Sequence, residues 1–234
     1  ADSKKIQVEF VSANPTGPLH VGHGRGAIYG DVISKLLEKK GHEVQKEYYV
    51  NDAGRQIDIL TASVYLRAIE IEDNIFPESA YRGEYIKEIA KNANLQDAVN
   101  IDDLFKSLPE DDEEKIDKII SHLKSASEKD WKSIKKVSLE SVLSTIEKDL
   151  EDFGVTFDNW FLESSLLGAD SKIDAAVQQL NTNNLIDNRD GNIWFKSSDF
   201  GDDKDRVLIR ADGRQTYFAS DVAYHKDKLD RGFD

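Results

Sequence analysis

Ile6-Gln7-Val8-Glu9-Phe10-Val11-Ser12-Ala13-Asn14-Pro15-Thr16-Gly17-Pro18-Leu19-His20-Val21-Gly22-His23 decides how this chain is read. Ile6, Val8, Phe10 and Val11 are β-formers in a short run, so Ile6 to Ser12 reads as a buried strand. Asn14-Pro15-Thr16-Gly17-Pro18 then breaks regular structure. The spacing predicts a helix from about His23 to Lys40, with Ile28, Val32, Ile33, Leu36 and Leu37 as its apolar stripe and Gly41 as its stop. Glu43 to Val50 reads as a second strand. Strand, loop, helix, strand in fifty residues is a crossover unit, which feeds a parallel sheet.

Working outward, Gln56 to Ile71 is predicted helical, with Ile57, Leu60, Val64 and Ile71 on one side. Tyr85 to Phe153 is helical and acidic. Ile116, Ile119, Ile120 and Leu123 form one stripe, and Leu139, Val142, Leu143, Ile146, Leu150 and Phe153 another. The acidic run Glu110-Asp111-Asp112-Glu113-Glu114 reads as a solvated helix N-terminus, where negative charge suits the helix dipole, rather than as a metal site. Ala175 to Leu185 reads as a short helix. Asn192 to Lys196, Val207 to Arg210 and Thr216 to Ala219 read as strands, and Asp221 to Leu229 as helix. The expected division is a first half of a sheet domain over 1–71, a mainly helical insertion over 72–160, and a return to the sheet domain over 161–234.

Composition bounds the function. The chain has 234 residues, enough for one large domain with an insertion, and 39% hydrophobic against 32% charged residues reads as globular. No apolar run approaches the ~20 residues of a membrane span, and no secretory leader is read at the start. Cysteine is absent, which excludes disulfides and Cys-ligated zinc. A net charge of −14 argues against indiscriminate nucleic-acid binding while leaving room for a local basic patch. These features fit a cytoplasmic protein.

The chemistry-bearing residues lie where strand passes into helix. In an open parallel sheet, ligands bind at the carboxyl ends of strands beside helix N-termini, whose N–H groups favour phosphate. His20 and His23 are three apart, so on a helical turn they share a face and can hydrogen-bond ATP phosphates. Gly22, lacking Cβ, lets a nucleotide come close. The same pair could equally be a metal pair or a plain helix start.

Three blocks in family order carry a resemblance: Glu9 to Gly26, Tyr48-Tyr49-Val50-Asn51-Asp52-Ala53-Gly54-Arg55-Gln56, and Val207 to Asp234 with Asp212-Gly213, Thr216-Tyr217-Phe218-Ala219-Ser220-Asp221 and Arg231-Gly232-Phe233-Asp234. Together they resemble the catalytic core of bacterial-type arginine–tRNA ligases, class I aminoacyl-tRNA synthetases. The segment from about Asn92 to Ser138 carries no signature.

The resemblance implies an α/β fold with a Rossmann-like parallel sheet, incomplete here, and a helical insertion. It implies attack of the arginine carboxylate on the α-phosphate of ATP, giving arginyl-adenylate and pyrophosphate, then esterification of the tRNA's terminal ribose. Members generally need tRNA bound before the first step. His20 and His23 would be catalytic and hold ATP, accompanied by Mg²⁺, with Gly22 under the nucleotide. Asn14 would meet the substrate's α-amino or carboxylate end, Glu9 and Asp221 the guanidinium, and Tyr217 would line the same pocket. No dedicated metal ligands are expected. The implied partners are arginine and its cognate tRNA, with no membrane and a monomeric parent.

Singly, Glu9 could be an outward strand residue, Asp221 a helix N-cap, and Tyr217 ordinary strand packing. Some relatives carry a lysine where this chain has Gly17, which leads us to expect a standard lysine loop elsewhere in the parent. The family's domain is expected to continue past Asp234, so residues 1–234 alone should charge tRNA poorly. Two rivals stand beside this reading: another H-x-G-H nucleotidyltransferase, and a non-catalytic nucleic-acid-binding paralogue.

Overall fold

The structure is a computed structural model that describes residues 2–96, 99, 101–168 and 171–234, without the side chains of residues 102 and 103. The chain forms two compact units. One comprises residues 1–12, 28–50 and 157–234; the other comprises residues 13–27 and 51–156.

The first unit is built on a parallel sheet in the order β1 (Lys5–Glu9), β2 (Glu43–Val50), β3 (Asn159–Leu162). Glu9 lies opposite Glu47, and Tyr49 opposite Phe161. Adjacent residues of β2 point to opposite faces, as the two-residue strand period requires. Tyr48 stacks on Trp160 at 4.4 Å and meets Phe157, which in turn packs on Phe10. Tyr49 packs at 4.7 Å on Tyr224 of helix α8 (Tyr217–Asp230).

Helix α1 (Val21–Lys39) begins two residues earlier than predicted, and only part of its predicted stripe turns inward. Its inward positions are Ala27, Gly30, Asp31 and Ser34, while Ile33 and Leu37 are half-buried. Ile28 is 52% exposed and Leu36 59%, and Val32 is exposed beside them. The reason is close approach: a Cβ on Gly30 would lie 2.0 Å from the Phe10 ring, so only small residues let the helix backbone rest on that aromatic.

The first strand also departs from expectation. It ends at Glu9, and Val11 and Ser12 turn through left-handed backbone at φ 64° and 42°. A β-branched residue there is strained by roughly 1–2 kcal/mol. The neighbouring hydrogen bonds hold it: the Ser12 hydroxyl accepts from the Tyr49 N–H at 3.0 Å, and its N–H donates to the Phe10 carbonyl.

Helices α2 (Arg55–Ala68), α3 (Glu84–Lys91), α4 (Asp102–Lys106), α5 (Asp112–Ala126) and α6 (Glu128–Asp152) make up the second unit with the signature loop. Ile57, Leu60 and Val64 are buried as predicted, as are Ile116, Ile119, Ile120 and Leu123. On α6, Val142, Ile146 and Leu150 are buried, whereas Phe153 is exposed. The acidic run is a helix start, as expected: Asp111 caps α5 by accepting from the Glu114 N–H at 2.9 Å. Asp112 next to it is pulled down to about 2: burial would raise it, but Ser79, the N–H of Glu78 and Lys115 outweigh that.

After β3 and α7 (Lys172–Thr182) comes an antiparallel sheet of β4 (Ile186–Arg189), β5 (Asn192–Phe195) and β6 (Arg206–Ile209). The predicted strand over Thr216 to Ala219 is not one. Thr216 is the N-cap of α8, its hydroxyl accepting from the Ala219 N–H, and the strand pattern reaches only to an isolated bridge between Ile209 and Gln215. Strands β3 and β4 were not anticipated. Among the described residues, no helix is long and apolar enough to cross a membrane.

Candidate active site

In the first unit, acidic side chains gather at the carboxyl end of the parallel sheet, where ligands of such folds bind. Glu9 closes β1, Tyr49 is next to last in β2, and Glu163 follows directly on β3. The Ser12 hydroxyl donates to Glu9 at 3.1 Å, and Lys228 of α8 pairs with the other Glu9 oxygen at 2.8 Å. Burial pushes the Tyr49 hydroxyl far above the usual tyrosine range, helped by the negative charges of Glu163, Asp221 and Glu9 and a hydrogen bond to Glu163. Three carboxylates therefore act on one phenol hydroxyl. Glu163 was missed in the sequence, since an acid after a short unrecognised strand carries no motif.

Asp221 lies in the second turn of α8 and is not its cap, a role taken by Thr216. Its carboxylate has no hydrogen-bond partner among the described residues. Burial raises its pKa and Glu9 raises it further, against the lowering effect of His225 and Lys228. Tyr217, one helical turn earlier on the same face, is 69% exposed. Asp221 and His225 also border a cavity of about 490 Å³ lined by Ala176, Leu180, Phe218 and Val222.

Beneath these acids sits Glu47 of β2, fully buried. One oxygen accepts from the Tyr224 hydroxyl at 2.5 Å and from Arg231 at 2.9 Å; the other accepts from Arg231 and Asn159, both at 2.6 Å. Burial would raise its pKa. Hydrogen bonds from Arg231, Tyr224 and Asn159 and the Arg231 charge hold it below the usual value instead. The forked guanidinium suits a carboxylate in this way. Arg231 also pairs with Asp227, and Lys172 with Asp227. Neither Glu47 nor Tyr224 was singled out in the sequence.

In the second unit, His20 precedes α1 and its carbonyl accepts from the N–H groups of His23 and Gly24. Its Nδ1 accepts from the Gly22 N–H at 3.1 Å, and the Nδ1 of His23 accepts from the His20 N–H at 3.2 Å. With both Nδ1 atoms turned to backbone donors, each neutral ring carries its proton on Nε2. The rings stack at 3.7 Å. Burial, then the charge of His20, lowers the His23 pKa. A Cβ on Gly22 would lie 2.9 Å from the His20 ring, so this glycine makes room for that imidazole. Asn14 is exposed, and its amide donates to Gln56 of α2 at 2.7 Å. Among the described residues no group of three or more His, Asp or Glu side chains is spaced to hold a metal.

The family model described as "tRNA synthetases class I (R), catalytic domain" matches residues 1–232, and the chain belongs to that family. The arginine–tRNA ligase of Acinetobacter baylyi is 48% identical over 255 residues, covering 98% of this chain and 42% of the relative. That of Psychrobacter cryohalolentis is 48% identical, covering 100% and 42%. Among solved structures, a Campylobacter jejuni protein provisionally described as an arginyl-tRNA synthetase is similar with a TM-score of 0.77 at 36% identity, over 100% of this chain and 46% of that one. The Thermus thermophilus arginyl-tRNA synthetase shares the fold, with a TM-score of 0.66 at 22% identity over 96% of this chain and 36% of that one. The chain thus spans about 42% of the length of the curated relatives it matches.

Proposed function

We propose that the chain is the arginine- and ATP-binding part of an arginine–tRNA ligase. The observation that carries this reading is Asp221: a carboxylate left without a hydrogen-bond partner among the described residues, its pKa raised beside a second acid, Glu9. Such a group gains most from a cation that brings its own donors. A guanidinium is planar and forked, and it would satisfy Asp221 and reverse the shift, which the rounder ammonium of lysine does less well. Tyr217 then flanks the same ligand, and the sequence motif alone assigns Asn14 to the substrate's α-amino or carboxylate end.

His20, Gly22 and His23 form the ATP-binding element. With their protons on Nε2, the two imidazoles are donors for phosphate oxygens, and they stabilise charge that grows as the arginine carboxylate displaces pyrophosphate from the α-phosphate. ATP enters as its magnesium complex, the ion riding on the phosphates as part of the substrate. The resulting adenylate passes its arginyl group to the cognate tRNA. In this reading residues 1–71 and 161–234 contribute the catalytic domain and 72–160 a helical insertion, in a monomeric cytoplasmic protein.

The test is arginine-dependent exchange of pyrophosphate into ATP, with tRNA present, by the full-length protein. Exchange with arginine and no other amino acid, lost in the Asn14→Ala, Asp221→Ala double variant, is expected. A folded protein that exchanges with another amino acid, or with none, overturns the reading.

A further inference from the structure

The loop over residues 14–18 carries Asn14 and leads into the histidine pair, yet it has little to hold itself in place. Two of its five residues are prolines without an N–H, and the Thr16 N–H is spent within the loop on the Asn14 carbonyl at 2.8 Å. Tyr85, the second residue of α3, meets it from outside the signature blocks. Its hydroxyl donates to the Thr16 carbonyl at 2.6 Å.

The ring sits in a slot made by two missing side chains. A Cβ on Gly17 would lie 3.1 Å from the Tyr85 hydroxyl oxygen and 3.3 Å from the ring carbon that bears it; a Cβ on Gly83 would lie 2.4 Å from the ring edge. Burial pushes the hydroxyl up to about 12, so it remains a protonated donor at any working pH. Helix α3 is itself fixed by buried Ile86, Ile89 and Ala90. A cavity of about 180 Å³ lies beside this contact, lined by Gly17, Pro18, Ile89, Val142 and Thr145, so a loop released by Tyr85 has somewhere to go.

We infer that Tyr85 is a positioning residue: from the helical insertion it sets the height of residues 16–18, and so the placement of Asn14 and the His20–His23 pair. Gln56 holds Asn14 and Tyr85 holds Thr16 and Gly17, giving the loop two fixed points. It follows that Gly17 gives this ring its room: a Cβ there crowds the Tyr85 hydroxyl, which must shift by a few tenths of an ångström to accommodate it. The catalytic consequence rests on the arginine-activation reading above; the loop contact does not.

Tyr85→Phe in the full-length protein keeps the ring and removes the hydroxyl. The amides of Thr16, His23 and Gly24 should exchange hydrogen roughly tenfold faster, the scale of one lost buried hydrogen bond, with α5 and α6 amides unchanged. Turnover in arginine-dependent pyrophosphate exchange should fall by a similar factor, with KM for arginine altered less than about twofold. Gly17→Ala should reproduce both effects from the loop side. Unchanged loop exchange in both variants, or an even rise through α5 and α6, overturns the inference, as does quickened loop exchange with full turnover. If the unsubstituted protein shows no arginine-dependent exchange, the activation reading fails, and the amide pattern alone decides whether Tyr85 holds the loop.

Discussion

Glu47 and Asp221 are carboxylates of the same unit, and their surroundings treat them in opposite ways. Glu47 is fully buried and accepts from three side chains, one of them a guanidinium, which keeps it ionised. For Asp221, burial first and the charge of Glu9 next push the carboxyl toward protonation, and no donor bonds it among the described residues. The chain has placed Arg231 on Glu47, whereas Asp221 feels only the more distant positive charges of His225 and Lys228.

The contrast can be broken at either end. Glu47→Ala should produce the largest effect, about 3–5 kcal/mol of lost stability in urea unfolding, because Arg231, Tyr224 and Asn159 would be left without their partner. A loss below ~1 kcal/mol would mean the network is idle. Asp221→Ala should do the reverse. Stability should stay within ~0.5 kcal/mol, while arginine-dependent exchange falls at least ~100-fold, the scale of a lost charge-assisted contact. Full activity in that variant would remove Asp221 from the ligand.

Acid titration sharpens the pair. The Glu47 pKa is lowered on folding, so its contribution is present above its unfolded value of 4.5 and is lost as pH falls through the folded one. The Asp221 pKa is raised, so its contribution is present below its unfolded value of 3.8 and is lost as pH rises through the folded one. Between about pH 6 and pH 3.5, Asp221→Asn should therefore lose stability more steeply than the unsubstituted protein and Glu47→Gln less steeply, as read from urea midpoints. Parallel curves for all three would sink the assignment. The smallest effect belongs to Ser12→Ala, which removes the hydroxyl joining the Tyr49 N–H to Glu9. It should cost about 1 kcal/mol and weaken arginine binding, measured by unfolding and by KM; no change in either would show that Glu9 needs no such tether.

Much of the first unit was legible because its order is local. Its first strand, helix and second strand fall within fifty residues, and β2 lies where its β-formers placed it. The face of α1 was not legible. Of the predicted stripe, Ile33 and Leu37 are half-buried while Ile28, Val32 and Leu36 are exposed, because the packing depends on Gly30 meeting Phe10, a close approach that periodicity does not encode. Tyr217 looked like strand because Thr-Tyr-Phe favours β structure; the Thr216 cap overrides that preference. Glu163 and the Glu47 network were invisible because their partners are distant in sequence: Glu47 reaches 177 residues to Tyr224. Tyr85 lay in a helix with no signature and became meaningful only through Gly17 and Thr16.

The same aromatic packing makes the molecule readable by light. Of its three tryptophans, Trp131 lies in α6 of the helical unit, while Trp160 and Trp194 belong to β3 and β5. Trp131 is buried, with the Lys124 ammonium 5.3 Å from its ring. Replacing Trp160 and Trp194 by Phe would leave a single emitter reporting on the helices alone. Trp160, stacked on Tyr48, gives the sheet its own near-ultraviolet dichroism. Unfolding of the sheet can be followed by that dichroism in the unsubstituted protein, and unfolding of the helical unit by emission in the doubly substituted one, without any label.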